Sequence, residues 1–62
     1  MKKIMIVDDE MLVRVGIKSI VDWEKYGYQM IAEASDGEEA LTLIRKEEPD
    51  IVLTELVMSP MD

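Results

Sequence analysis

The chain has 62 residues, room for one small domain or a piece of one and too little for two. It has neither cysteine nor histidine, which excludes disulfides, thiolate or imidazole nucleophiles and zinc sites built on nitrogen and sulfur, so a metal here must be held by oxygen. Fourteen acidic against seven basic residues give a net charge of −7, which repels nucleic acid and anionic membrane and attracts cations. With 48% of residues apolar the composition is globular, but a chain this short buries only about 60% of its unfolded surface, so its stability alone should be marginal.

The acidity is uneven: residues 1–34 carry a net −1 and residues 35–62 a net −6. The opening Met-Lys-Lys precedes only a strand-length apolar run, too short for a signal-peptide core or for the ~20 apolar residues of a membrane span. A cytoplasmic protein that binds neither DNA nor membrane directly is the expectation.

Ile4-Met5-Ile6-Val7 is continuously apolar without alternation, the pattern of a parallel strand covered on both faces. It stops at Asp8-Asp9-Glu10, where Asp9 or Glu10 suits a helix start. Between Met11 and Trp23, residues Leu12, Val13, Ile17, Ile20 and Val21 form one helical stripe, with Arg14 and Lys18 off it. Gly27 marks a turn, and Tyr28 to Ala34 reads as a second strand, Tyr28, Met30, Ala32 and Ala34 alternating with Gln29 and Glu33. Ser35-Asp36-Gly37-Glu38-Glu39 offers a cap followed by first-turn carboxylates, with Ala40, Leu41 and Ile44 as the apolar stripe and Arg45 and Lys46 near the carboxyl end. Pro49 ends that helix and releases Ile51-Val52-Leu53-Thr54, a third, β-branched strand.

The order βαβαβ, with right-handed crossovers on opposite faces, predicts a three-stranded parallel sheet in the order 2-1-3 with two crossover helices, all of residues 1–62 forming one unit. The reversal around the first strand opens a crevice at the carboxyl ends of strands 1 and 3, where open α/β sheets put their ligands. Asp8, Asp9 and Glu55 map there, and neighbouring strands lie roughly 4.8 Å apart, so the adjacent aspartates and the distant Glu55 converge. Oxygen ligands of this kind suit Mg²⁺, which takes one or two carboxylates plus waters and leaves positions open for a phosphoryl group. The alternative is that Asp8 or Asp9 caps the first helix and Glu55 is a solvated loop residue.

Three segments, Ile4 to Glu10, Glu33 to Leu41 and Pro49 to Thr54, together resemble the first half of a bacterial response-regulator receiver domain in order and spacing. The turn Asp22 to Tyr28 further resembles receivers fused to an AraC-type DNA-binding region. The resemblance implies the amino-terminal half of a doubly wound, flavodoxin-like fold of five parallel strands, in a longer protein that controls transcription and receives phosphoryl from a sensor histidine kinase. Carried over by position, Asp9 would be the direct Mg²⁺ ligand, Asp8 would act largely through water, and the Val57 carbonyl would complete the protein ligands. Glu55 occupies the phosphoacceptor position, where the family has aspartate, and Ser59-Pro60 places the proline one residue later than usual. Glu55 then either imitates the phosphorylated state or marks a domain that signals without phosphorylation.

On this reading the chain is no enzyme in its own right. An apolar surface and third-strand edge left uncovered would draw a second copy into a homo-oligomer. Two other classes stand beside it: a truncated or designed half-domain that self-associates, and a Mg²⁺-dependent phosphohydrolase, for which Asp8 followed by Glu10 is a loose match. The methionines are expected to fill the core, and Trp23 and Tyr26 to pack a loop over the first helix.

Overall fold

Strand β1, Lys2–Val7, buries its last four residues, Ile4 to Val7. A strand apolar on both sides has to sit in the middle of a sheet with a layer on each face. The computed structural model, which describes residues 1–54, places it so: β1 lies between β2 (Tyr28–Ala34) and β3 (Ile51–Thr54), all three parallel, in the expected order β2-β1-β3. Six residues of β1 face seven of β2, and a bulge between Ile4 and Met5 absorbs the surplus by leaving Ile31 without an opposite residue. As a result the strands end level, with Val7 opposite both Ala34 and Thr54.

β1 begins two residues before the apolar run. Hydrogen bonds of its main chain rather than apolar side chains extend it: Lys2 N–H donates to the Gly27 carbonyl at 3.0 Å, and Lys3 N–H donates to Asp50 Oδ2 at 2.7 Å while its carbonyl accepts from Asp50 N–H at 2.8 Å. Lys3 Nζ donates to the Glu47 carbonyl at 2.9 Å, a cation at a helix carboxyl end where the dipole favours one.

Helix α1 spans Met11–Ile20, shorter than the apolar stripe suggested. Val21 is already extended, and a 3₁₀ turn over Trp23–Tyr26 follows, closed by Gly27 at φ 88°, a left-handed conformation that suits glycine. Trp23 Nε1 donates to the Ile17 carbonyl at 3.1 Å, satisfying one of the orphaned acceptors of the last helical turn. The indole also stands edge-on to Tyr28, with ring centroids 6.3 Å apart, so Trp23 packs as a loop anchor, whereas Tyr26 is exposed. Val13 and Ile17 of the stripe are half-buried, but Leu12 and Ile20 are 78% and 73% exposed. Only the centre of α1 meets the sheet; among the described residues nothing covers its flanks.

Helix α2, Gly37–Glu47, is capped at its start. Asp36 accepts from Glu39 N–H at 2.8 Å, and Glu39 Oε1 accepts in return from Ser35 N–H at 2.8 Å and Ser35 Oγ at 3.0 Å. It stops at Glu48, left-handed at φ 50°, directly before Pro49. Ala40 packs with Met5, Val7 and Ala34, flanked by Ala32, Leu43 and Ile44. Residues 40, 43 and 44 share one helical face, which turns Leu41 outward to 54% exposure despite its place in the expected stripe.

Since successive strand residues point to opposite faces, Met5, Val7, Ala32 and Ala34 look toward α2, while Ile4, Ile6 and Glu33 look toward α1. The helices therefore cover opposite sides of the sheet, as double winding requires. Replacing Asp36 by alanine removes the cap and is expected to cost about 1 kcal/mol, read as a lower urea midpoint with an unchanged slope.

Candidate functional site

The site begins where β1 ends. Asp8 is only 2% exposed, and three of its atoms are engaged. Its N–H donates to the Ala34 carbonyl at 3.0 Å, continuing the β1–β2 ladder by one residue. Its Oδ1 accepts from Glu10 N–H at 2.9 Å, which bends the chain into α1. Its carbonyl accepts from Arg14 Nη1 at 2.6 Å. A buried carboxylate is tolerated only when hydrogen-bonded, and this turn supplies the bond. Glu10, at the N-cap position of α1, makes no side-chain cap bond, so Asp8 rather than Asp9 or Glu10 organises the helix start.

Asp9 and Glu10 are exposed, and Asp8, Asp9 and Glu10 each bring a carboxylate oxygen within 4.8 Å of the others. Three such charges repel by about 1 kcal/mol per pair even with the screening of bulk water. The donor set is all oxygen and all anionic, with two members open to solvent, and it fits a hard divalent cation that keeps several of its waters.

Behind this acidic turn lies a cationic tie. Arg14 also donates through Nε to Glu33 Oε1 at 2.8 Å, and Lys18 Nζ donates to Glu33 Oε2, so one carboxylate on β2 holds two cations from successive turns of α1. The Lys18 hydrogen bond, aided by that of Arg14 and by the charges of both, holds the Glu33 carboxyl below its usual value against an opposing desolvation effect. Between α1 and the sheet a cleft of about 320 Å³ is lined by Val7, Asp8, Val13, Ile17, Trp23 and Leu53, so Trp23 and Asp8 border the same space.

The structure thus gathers Asp8 and Asp9 and adds Glu10, which the sequence assigned to the helix start and, loosely, to the phosphohydrolase alternative. Glu55 and Val57 lie outside the described residues. The strand register brings Thr54, the residue before position 55, opposite Val7, the residue before Asp8. Sequence reasoning missed the Arg14–Glu33–Lys18 cluster, treating both cations as the solvent side of α1. The signals were present: Glu33 falls on the opposite strand parity from Ala32 and Ala34, and residues 14 and 18 are four apart.

Comparison with known proteins gives one consistent result. Residues 4–62 match the family described as the response regulator receiver domain. An uncharacterized response regulatory protein of Staphylococcus epidermidis is 45% identical over 58 residues, covering 94% of this chain and 23% of that protein. The transcriptional regulatory protein HptR of Staphylococcus aureus is 43% identical over 58 residues, with the same coverage of 94% and 23%. The chain spans less than a quarter of the length of these relatives.

The pH dependence of the tie has a definite sign. Glu33 titrates lower in the folded chain than its ordinary 4.5, so its stabilisation is complete above 4.5 and is lost as pH falls through the lowered folded-state value. Glu33→Gln should therefore lower thermal stability at neutral pH, by about 0.5–1 kcal/mol for a part-exposed pair, and the gap from the parent chain should close in acid. Melting curves at neutral and acidic pH check both parts.

Proposed function

This chain belongs to the response regulator receiver family, and we propose that it is the Mg²⁺-binding input module of a two-component transcriptional regulator whose phosphoacceptor position is held by Glu55. The observation that carries this reading is the acidic turn at the carboxyl end of the central strand, level with the end of β3, where Asp8, Asp9 and Glu10 converge.

The ligand roles follow from how each group is held. Asp8 is buried and already uses Oδ1 to accept the Glu10 N–H, which suits contact with the cation through an intervening water. Asp9 is exposed at the rim and suits direct ligation. Glu55 and the Val57 carbonyl would complete the protein ligands from the segment after β3. Mg²⁺ supplies charge neutralisation of the carboxylates and open positions for phosphoryl oxygens. A glutamate at position 55 has one methylene more than aspartate, and it brings one negative charge against roughly −1.5 to −2 and three acceptor oxygens. It therefore approximates the phosphorylated state without reproducing it, and the module signals without accepting phosphoryl.

The partner of the longer protein is a sensor histidine kinase, met without phosphoryl transfer to Glu55, and its output is transcription, as the name of the Staphylococcus aureus relative states for that protein. The module turns over no substrate of its own. Among the described residues no helix is long and apolar enough to cross a membrane, and we place the module in the cytoplasm. Exposed Leu12 and Ile20 on α1 and Val52 on β3 support self-association of the chain, which sedimentation at micromolar concentration should register as a mass above the monomer.

Titration with Mg²⁺ followed by Trp23 fluorescence is expected to saturate in the parent chain and to be strongly weakened in Asp9→Asn. Treatment with a small-molecule phosphodonor and Mg²⁺ is expected to leave Glu55 unmodified by mass spectrometry. A flat Mg²⁺ titration removes the metal site, and a phosphate adduct on Glu55 removes the assigned role of that residue.

A further inference from the structure

Arg14 leaves the first turn of α1 and divides its guanidinium between two acceptors, Nη1 on the Asp8 carbonyl and Nε on Glu33. The side chain is 15% exposed, so these bonds are largely shielded from water. What it grips at the turn is the main chain. The Asp8 carbonyl belongs to the peptide that joins Asp8 to Asp9, and holding that planar unit holds the two Cα atoms from which the side chains leave. Because the contact is to the carbonyl and not to a carboxylate, the acidic oxygens stay available to a cation while a positive charge stands behind them.

We propose that Arg14 is a positioning residue for the acidic site: it sets the peptide plane between Asp8 and Asp9, with Glu33 as the anchor that aims its guanidinium. The inference rests on the Mg²⁺ reading above for its consequence, but the geometry it assigns is a property of the chain itself. Lysine cannot replace Arg14, since one ammonium lacks the rigid fork that reaches a carbonyl and a carboxylate in two directions. Lys18 is the internal control, because it shares Glu33 and makes no bond to the turn.

The experiment compares the parent chain with Arg14→Lys, Lys18→Met and Glu33→Gln by amide hydrogen exchange and by Mg²⁺ titration. In Arg14→Lys the Glu10 amide, which reports the Asp8 turn, should lose protection while Met5 and Ile6 in β1 keep theirs. Mg²⁺ affinity should fall about tenfold, the lower end of what losing a partner behind a metal ligand costs. Lys18→Met should leave both readings close to the parent, and Glu33→Gln should shift both in the direction of Arg14→Lys. Unchanged Glu10 exchange and Mg²⁺ affinity in Arg14→Lys would overturn the proposal, as would protection lost equally across β1, the mark of a general structural tie. If Arg14→Lys does not fold, Glu33→Gln decides by the same two readings. A parent chain that ignores Mg²⁺ defeats the metal site alone, and the Glu10 amide then judges Arg14 by itself.

Discussion

A strand that is apolar on both sides leaves the chain little choice. Ile4, Met5, Ile6 and Val7 can leave water only if another layer closes over each face, and one strand reaches two layers only from the centre of a sheet. The two crossovers take opposite faces to provide those layers, and their reversal puts a crevice at the carboxyl end of β1. The first polar residue past that end is Asp8, still buried because the ladder to Ala34 runs one residue beyond the strand. The demand for burial that builds the sheet thus delivers a carboxylate to its rim.

Holding three carboxylates within 4.8 Å is unfavourable, and the fold meets that cost locally. The Asp8 side chain turns back on the Glu10 amide, so one of the acids stabilises the bend that creates the cluster. Arg14 places positive charge on the main-chain side of the turn, and Glu33 keeps it there. The arrangement separates two tasks: the Arg14 cation behind the turn holds its shape, and the oxygens in front remain for a ligand.

Much of this was legible in advance. The run before Asp8, the Pro49 stop, the cap at Asp36 and the alternation around Ala32 and Ala34 each encode a local preference, and local preferences need no knowledge of the rest of the chain. Element ends were less legible. Lys2 and Lys3 join β1 because Gly27 and Asp50 supply backbone partners, and α1 stops at Ile20 because Trp23 bonds back to the Ile17 carbonyl. Leu12, Ile20 and Leu41 carry the right periodicity but remain exposed, since periodicity says that a face is apolar and not how wide a surface it will meet.

The sequence by itself determined the order of elements, the central place of β1, the parallel sheet and the acidic residues at its rim, because hydrophobic pattern and turn chemistry act over a few residues at a time. Tertiary structure alone decided that Asp8 is buried, that its N–H pairs with the Ala34 carbonyl, and that Arg14, tied to Glu33, belongs to the site rather than to solvent. Those outcomes depend on the bulge that levels the strand ends and on which side of β2 Glu33 faces α1. Such distances between residues far apart in the chain exist only once the helices have closed over the sheet.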